Sequence, residues 1–234
     1  MNNRRFFNLA ASGYEFLTAQ EVWRAQIAEA LGKVEVATSA RRVLDVGCGP
    51  GTSAFVLAEA LPSSEVVGID IAEEMIRRAR RRHLRGGAKY RNVSFLECDL
   101  YEMPAGLTGF DLALGHSLVY LLPDRARALR AVAERMNPGG ELVLLEPARG
   151  TGVQEVMGAL RSRRGELRRR PGSWSRFAMS MITWRMMSGT REPPGPEELG
   201  ELFEEAGFEE VRVEPTLGGL GVHVVGRSGG RASP

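Results

Sequence analysis

Lysine is almost absent from this 234-residue sequence, which has only Lys33 and Lys89 among its 31 basic residues. The other 29 are arginines, and with 29 acidic residues they leave a formal net charge of +2. Codon bias in a GC-rich genome, or thermal adaptation, accounts for the preference for arginine without any functional role. The position of the arginines is therefore more informative than their number.

Cysteine is equally scarce, and long apolar segments are missing. Cys48 and Cys98 provide no framework for disulfides or for a zinc site. No apolar run reaches the ~18 residues that a membrane span needs, and no long apolar stretch follows the N-terminal charges as a secretory signal would require. A content of 43% hydrophobic and 26% charged residues is typical of a globular protein. We therefore expect a protein of the reducing cytoplasm.

The middle of the chain alternates strand-like and helix-like segments, the pattern of a parallel α/β sheet. The predicted strands are residues 42–46, 65–70, 92–97, 110–115, 141–146, 208–214 and 221–225. The predicted helices are residues 19–31, 52–61, 73–84, 124–136 and 196–206. Residues 137–140, Asn-Pro-Gly-Gly, are predicted to form a turn.

A glycine-rich segment follows the first predicted strand. Gly47, Gly49 and Gly51 alternate with other residues and precede a helix. Glycine is needed where the backbone turns tightly or approaches a ligand closely, and the start of a helix offers free N–H groups to a carboxylate or phosphate. The spacing differs from the G-x-G-x-x-G of dinucleotide-binding proteins and from the phosphate-binding loop of nucleoside triphosphatases.

Acidic residues stand at the ends of the next two predicted strands. Asp70 can accept both ribose hydroxyls of an adenosine lying across the strand ends, or it can simply cap the following helix. Asp99 can accept the exocyclic amine of an adenine, with Ile71 and Leu100 against the faces of the base. Because ligands of such sheets bind at the carboxyl ends of the strands, the three strand ends together predict one adenosine-containing ligand.

In this order and spacing, the segments resemble the class I S-adenosylmethionine-dependent methyltransferases over nearly the whole chain. The matching segments are residues 43–51, 67–75, 97–99, 110–111, 137–140 and 206–208. The resemblance implies a Rossmann-like α/β fold, with a seven-stranded, mostly parallel sheet, helices on both faces and an antiparallel C-terminal hairpin. It implies S-adenosylmethionine as cofactor, S-adenosylhomocysteine as product, and methyl transfer by in-line displacement.

The resemblance also assigns cofactor-binding residues. Gly47, Gly49 and Gly51 would contact the amino-acid portion of the cofactor, with Asp45 supporting their loop. Cys48 would be a small packing residue in that loop rather than a nucleophile. The full set of expected cofactor-binding residues is Asp45, Gly47, Cys48, Gly49, Gly51, Asp70, Ile71, Met75, Asp99, Leu100 and Ser117.

His116 and Tyr14 are the candidate catalytic residues. His116 follows the fourth predicted strand, beside the expected methyl group, where it can act as a base or orienter, or only as a hydrogen-bonded wall residue. Tyr14 can cover the cofactor as part of a lid, or pack as an ordinary residue. A base is needed only if the acceptor is a hydroxyl or an acidic carbon. Otherwise the enzyme positions the acceptor and excludes water.

A narrower resemblance concerns the two ends of the chain. Residues 7–15 with Trp23-Arg24, and residues 217–223, are similar to the ends of the ubiquinone/menaquinone-biosynthesis methyltransferases. Glu15 replaces the aspartate usual in that group, and residues 150–191 match it poorly. The resemblance implies a small-molecule or lipid-like acceptor, and it leaves open the acceptor atom and the oligomeric state.

The arginines concentrate between the fifth strand and the next helix. Residues 149–191 hold ten arginines and two acids, a net charge of +8, so the remainder, with 21 basic and 27 acidic residues, carries −6. The same segment has five of the nine methionines and two of the three tryptophans. It can be a cap over an apolar or anionic small molecule, a peripheral contact with an anionic membrane, or a solvated helix. A second arginine cluster, at 77–91, is expected to be a solvated face.

These assignments divide the chain into four parts. They are an N-terminal helical lid segment (1–40), a cofactor-binding α/β core (41–148), a basic, Met/Trp-rich cap insertion (149–195), and a C-terminal helix with closing strands (196–234). Two other functions stay open, an NAD-dependent oxidoreductase and a methyltransferase-like module that binds the cofactor without turnover. Nucleic acid is not an expected partner, because no RNA-binding module is recognisable.

Overall fold

The computed structural model describes residues 21–149 and 192–229, which form one seven-stranded sheet and the helices on its two faces. The strands are β1 (Arg42–Val46), β2 (Glu65–Asp70), β3 (Val93–Glu97), β4 (Phe110–His116), β5 (Met136–Pro147), β6 (Phe208–Thr216) and β7 (Gly221–Ser228). The helices are α1 (Glu21–Leu31), α2 (Thr52–Ala60), α3 (Glu73–Gly86), α4 (Arg125–Ala133) and α5 (Pro196–Glu205). Short 3-10 turns occur at Val36–Thr38, Gly87–Tyr90, Leu100–Glu102, Val119–Leu121 and Leu217–Gly219. Tyr14 and nearly all of the predicted cap insertion lie outside the described residues.

The strand order is β3-β2-β1-β4-β5-β7-β6. The first five strands are parallel, and β7 runs antiparallel between β5 and β6. The expected Rossmann-like sheet with an antiparallel C-terminal hairpin is therefore confirmed. Helices α1, α2 and α3 pack on one face and α4 and α5 on the other, so the central strands are buried on both sides, as their continuous apolar runs predict. No helix within the two described ranges is long and apolar enough to cross a bilayer.

The segment between α4 and β5 differs from its prediction. Helix α4 ends at Ala133 rather than at residue 136, and the predicted turn at 137–140 lies inside β5. Met136 already pairs with Phe110, and the ladder continues between Leu112 and Glu141 after a shift of register. The turn residues therefore form an irregularity within a strand, in which Gly139 has a φ of 77° and open space around it. Strand pairing with β4 prevailed over the local turn preference.

The parallel strands bring the candidate site together. Because β1 to β5 run in the same direction, the residues that follow them meet at a single edge of the sheet. Helix α1 lies beside this edge, where the buried Trp23 packs edge-on against His116, with the ring centroids 4.9 Å apart. Helix α1 is thereby fixed to the end of β4.

Candidate functional site

A cavity of about 330 Å³ lies at the carboxyl ends of the parallel strands, within the size range of ligand-binding pockets. Nine of the predicted site residues line it, namely Gly47, Gly49, Asp70, Ile71, Met75, Asp99, Leu100, His116 and Ser117. Further lining residues were not predicted, among them Tyr101, Leu118, Leu121 and Leu122. These residues lie in the segments that follow β3 and β4. They could have been predicted by counting several residues after each strand, because ligands bind at the carboxyl ends of the strands.

The glycine loop between β1 and α2 turns at positions that disfavour side chains. Gly47 and Gly51 have φ angles of 69° and 85°, in the left-handed region. A Cβ atom on Gly47 would lie 2.9 Å from Cδ1 of Leu118, and one on Gly51 would lie 2.9 Å from Cζ of Phe95. The first glycine is therefore needed beside the cavity wall, whereas the last one is needed for packing beneath the loop.

Asp70, the last residue of β2, connects the glycine loop to the start of α3. Its carboxylate accepts hydrogen bonds from the backbone N–H groups of Gly49, at 2.9 Å, and Ala72, at 2.8 Å. Burial raises the pKa of Asp70 to about 6, although both amide bonds lower it. Asp70 therefore binds the backbone at the start of α3, as one of the two alternatives predicted, and it also lines the cavity.

Asp99 follows β3 and has one carboxylate oxygen free for a ligand. Oδ1 accepts a hydrogen bond from the N–H of Tyr101 at 2.9 Å, which fixes the side chain, while Oδ2 has no hydrogen bond with any described residue. The Tyr101 hydroxyl donates to the carbonyl oxygen of Asp124 at 2.8 Å and so joins this turn to the start of α4. Ile71 and Leu100 line the same cavity.

Asp45, Cys48 and Gly51 do not line this cavity, although all three were predicted to bind the cofactor. Asp45 is buried and accepts a hydrogen bond from the Ser53 hydroxyl at 2.5 Å, and burial raises its pKa to about 7. Cys48 packs so closely on β2 that a Cβ atom on Gly68 would lie 3.0 Å from its sulfur. Burial raises the pKa of the Cys48 thiol, which disfavours a thiolate nucleophile. These residues support the loop from beneath.

His116 lies between the main cavity and a niche of about 20 Å³ that is also lined by Trp23, Ile27 and Ser53. Its Nε2 atom is buried and has no hydrogen-bond partner among the described residues. Burial lowers the pKa of His116 to about 4, so the ring is neutral near pH 7. The side chain therefore lines the cavity without a charge, and it keeps one buried nitrogen that has no hydrogen bond to a described residue.

Glu146, near the end of β5, was not assigned a role in the sequence. It is fully buried, and its carboxylate accepts the backbone N–H groups of Leu118 and Val119, both at 2.9 Å, and of Tyr120 at 3.4 Å. Burial raises the pKa of Glu146 to about 7, although these three hydrogen bonds lower it. A carboxylate that ends a long apolar run was the available sequence signal, because buried charges need partners.

Arg82 was expected on a solvated helix face, and this expectation was wrong. Its guanidinium donates to the carbonyl oxygen of Pro50 at 2.9 Å and to the Thr52 hydroxyl at 3.1 Å. The same group stacks over the ring of Phe55 at 5.0 Å from the centroid. Arg82 therefore holds the glycine loop from α3, whereas its neighbour Arg81 is exposed as predicted.

Comparison with known proteins gives a consistent family assignment. A model of the Methyltransferase domain family matches residues 37–207. Demethylmenaquinone methyltransferase from Staphylococcus aureus is 34% identical over 204 residues, which cover 86% of this chain and 79% of that protein.

Solved structures agree in fold. A SAM dependent methyltransferase from Aquifex aeolicus matches with a TM-score of 0.60 at 19% identity, over 88% of this chain and 89% of that one. Human N-acetylserotonin methyltransferase, solved in complex with SAM, matches with a TM-score of 0.64 at 18% identity over 96% of this chain. This chain spans only 59% of that human enzyme's length.

Proposed function

The chain belongs to the methyltransferase domain family and is an S-adenosylmethionine-dependent methyltransferase, and from this premise we propose that its methyl acceptor is an apolar, quinone-like molecule. One observation carries the proposal, the 34% identity to demethylmenaquinone methyltransferase over 86% of this chain. That relative's name gives a lipid-like quinone as its acceptor.

The chemistry of the cavity fits S-adenosylmethionine, which carries a positive charge on its sulfur. Among the described residues that line the cavity, two are carboxylates, Asp70 and Asp99, and none is lysine or arginine. A cationic ligand is favoured by this charge. The alternative of an NAD-dependent oxidoreductase is disfavoured by the spacing of Gly47, Gly49 and Gly51, which differs from the G-x-G-x-x-G of dinucleotide-binding proteins.

We assign the cavity residues to parts of the cofactor by their position along the strand ends. Gly47 and Gly49 take the methionine portion, because their backbone is exposed to the cavity without a Cβ. Asp70 takes the ribose hydroxyls, since each of its oxygens accepts only one hydrogen bond and retains a free lone pair. Asp99 takes the adenine amine through Oδ2. Apolar contacts come from Ile71, Met75 and Leu100, and Ser117 completes the wall.

When bound, S-adenosylmethionine supplies a methyl group on a sulfonium, which an acceptor attacks in line. The contribution of His116 is to orient the acceptor through its unpartnered Nε2 atom. A ring with a pKa of about 4 is a weak proton acceptor near pH 7, and a cation beside it lowers that pKa further. His116 therefore orients the acceptor by a hydrogen bond and does not act as a general base.

The acceptor would enter beneath the N-terminal segment and the cap insertion, and residues 149–195 would form that cap. Arg149 links the two described ends of this insertion, since its guanidinium donates to Glu198 at 2.7 Å and to the carbonyl oxygen of Pro193 at 3.0 Å. The ten arginines from 149 to 191 give the cap a charge suited to anionic lipid headgroups, from which a lipid-like acceptor would be taken up. Tyr14 would belong to the N-terminal lid over the cofactor.

Calorimetric titration and a methylation screen test this function. The protein is titrated with S-adenosylmethionine, S-adenosylhomocysteine and NAD, and then assayed with reduced naphthoquinones, phenols, amines and phospholipids as acceptors. We expect binding of the first two ligands and turnover on a reduced naphthoquinone that bears an apolar tail. Cofactor binding with no turnover on any acceptor would favour the non-catalytic alternative, and turnover only on amines would refute the quinone-like acceptor.

Substitution of His116 separates an orienting role from a wall role. H116F keeps an aromatic ring against Trp23 but removes the hydrogen-bonding nitrogen, so we expect kcat to fall ~10–100-fold, the equivalent of one lost hydrogen bond. H116Q should recover part of this loss, because its carboxamide can replace the hydrogen-bonding nitrogen of the imidazole. Wild-type kcat in H116F would leave His116 as a wall residue.

Binding to vesicles tests the membrane contact. We expect the protein to bind vesicles of mixed phosphatidylcholine and phosphatidylglycerol at 50 mM salt and to dissociate as salt rises, because the attraction of surface charges is screened. Binding that is absent, or independent of salt, would remove the membrane from the proposal without affecting the cofactor site.

A further inference from the structure

We propose that Glu146 is a positioning residue that holds one wall of the cofactor cavity in its binding-competent shape. The proposal rests on the assignment of this cavity to S-adenosylmethionine. Glu146 does not line the cavity, and its carboxylate reaches it only through the backbone of residues 118–120. It therefore acts on the cofactor through the loop that follows β4.

The loop after β4 needs an external acceptor. Ser117 has a φ of 54°, an uncommon value for a residue with a side chain, and its N–H donates to the carbonyl oxygen of Leu145 at 2.7 Å. The next three N–H groups point to Glu146, whose Oε1 accepts from Leu118 and Val119 and whose Oε2 accepts from Tyr120. Buried N–H groups without partners are costly, so this carboxylate stabilises a backbone conformation that is otherwise unfavourable.

The same loop forms a wall of the cavity beside the glycine loop. Ser117, Leu118, Leu121 and Leu122 all line the cavity. Leu118 also fills the space beside Gly47, where an added Cβ would lie 2.9 Å from its Cδ1 atom. A shift of the loop backbone would therefore move the surface against which the cofactor binds.

Glu141 provides a matched comparison on the same strand. It is also buried, with 1% of its surface exposed, and its carboxylate accepts the backbone N–H groups of Glu35 at 2.6 Å and Val36 at 2.8 Å. These lie before β1, at the opposite edge of the sheet from the cavity. Both buried glutamates accept backbone N–H groups, but only Glu146 does so for the cavity wall.

Among the described residues, few charged groups surround Glu146, so its own ionisation is separable from theirs. Arg125 on α4 lowers its pKa and is itself paired with Glu198 at 2.6 Å. The neighbouring position on β7 is the uncharged Val222, and the loop itself contributes only the Tyr120 hydroxyl. Because a protonated carboxyl group is a weaker acceptor than a carboxylate, the wall should loosen as Glu146 gains a proton at a pH below about 7.

The test compares E146Q with E141Q by calorimetric titration with S-adenosylmethionine, alongside thermal unfolding. Both variants should lose similar thermal stability. E146Q should bind the cofactor about tenfold more weakly, equivalent to ~1.4 kcal/mol, whereas E141Q should stay within about twofold of the wild type. Equal cofactor affinity in E146Q and wild type would overturn the proposal. So would an equal loss of cofactor affinity in E146Q and E141Q.

A pH series supplies the measurement that a merely structural role would not change. The wild-type dissociation constant for S-adenosylmethionine should rise from pH 8 to pH 6 more steeply than that of E146Q, because Asp45 and Asp70 titrate in both proteins and only Glu146 is removed. Parallel curves would overturn the proposal. If E146Q does not fold, E146D serves, and wild-type affinity in that shortened variant would be the contradicting result. Failure of the wild type to bind the cofactor at all would instead refute the assignment of the cavity.

Discussion

The carboxylate of Asp70 accepts the backbone N–H of Gly49 at 2.9 Å, which joins the end of β2 to the glycine loop after β1. Its other oxygen accepts the N–H of Ala72 at 2.8 Å. This one side chain therefore fixes the glycine loop, binds the backbone just before α3 and lines the cavity with hydrogen-bond acceptors. A substitution at this position is expected to affect the cofactor through both loop geometry and direct contact.

Replacement of Asp70 by alanine should weaken cofactor binding strongly. D70A removes the acceptor of the Gly49 amide and the expected acceptor of the ribose hydroxyls, at a cost of ~1–3 kcal/mol. The dissociation constant for S-adenosylmethionine, measured by calorimetry, should rise about 10- to 100-fold. D111A is the control, because Asp111 also accepts two backbone amides, of Arg41 and Arg42, at the opposite edge of the sheet. Unchanged cofactor affinity in D70A would refute the ribose role.

Two glycines with similar backbone angles should respond differently to alanine. Gly47 and Gly139 have φ angles of 69° and 77°, so G47A and G139A should each cost ~1 kcal/mol of unfolding free energy. Only G47A would push its Cβ against Leu118, since nothing lies within 4 Å at Gly139. We expect G47A to bind S-adenosylmethionine at least tenfold more weakly, and G139A to bind it normally. If both folded variants have similar unfolding free energies in urea and the same affinity for S-adenosylmethionine, the cofactor does not approach Gly47 closely.

Arg82 should contribute to cofactor binding although it lies outside the cavity. R82M keeps an apolar side chain on Phe55 but removes the hydrogen bonds to Pro50 and Thr52. We expect a loss of ~1–2 kcal/mol in unfolding free energy and a several-fold rise in the dissociation constant for S-adenosylmethionine. R81M, at the exposed neighbouring position on α3, should change neither quantity. An R82M protein that binds the cofactor like R81M would show that the loop holds its shape without the guanidinium.

The pH dependence of stability should carry a contribution from His223 on β7. Its side chain is fully buried, 3.7 Å from Glu29, and burial lowers its pKa to about 4, although the carboxylate raises it in part. A histidine whose pKa is lower in the folded than in the unfolded chain adds stability above pH ~6.5, and this is lost as the pH falls toward the folded value. Urea unfolding of wild type and H223Q between pH 7 and pH 4 measures the difference. The wild type should lose on the order of 2 kcal/mol more than H223Q, and parallel curves would show that His223 becomes charged in the folded protein.

Much of the fold and of the cavity lining was predictable from local patterns. Apolar strands that end in Asp45-Val46-Gly47, in Asp70 and in Asp99 predict both the parallel sheet and the edge at which ligands bind. The helix expected at 124–136 and the turn at 137–140 were not predicted correctly, because pairing between Met136 and Phe110 extends β5 over the Pro-Gly-Gly sequence. Local turn propensity is a weak preference that strand pairing overrides.

The sequence by itself determined which chemical groups stand at the ends of β1, β2, β3 and β4, since each follows a segment with the pattern of a strand. It also determined where glycine is required, because positive φ angles are a property of the local backbone. The tertiary structure alone decided which of those groups reach the cavity. Asp45 and Cys48 lie beneath the glycine loop. Arg82 stabilises that loop and Glu146 stabilises the loop after β4, each from an element distant in sequence. These roles depend on contacts over about 30 residues, as between Arg82 and Pro50 or Glu146 and Leu118, and such contacts exist only after the helices have packed on the sheet.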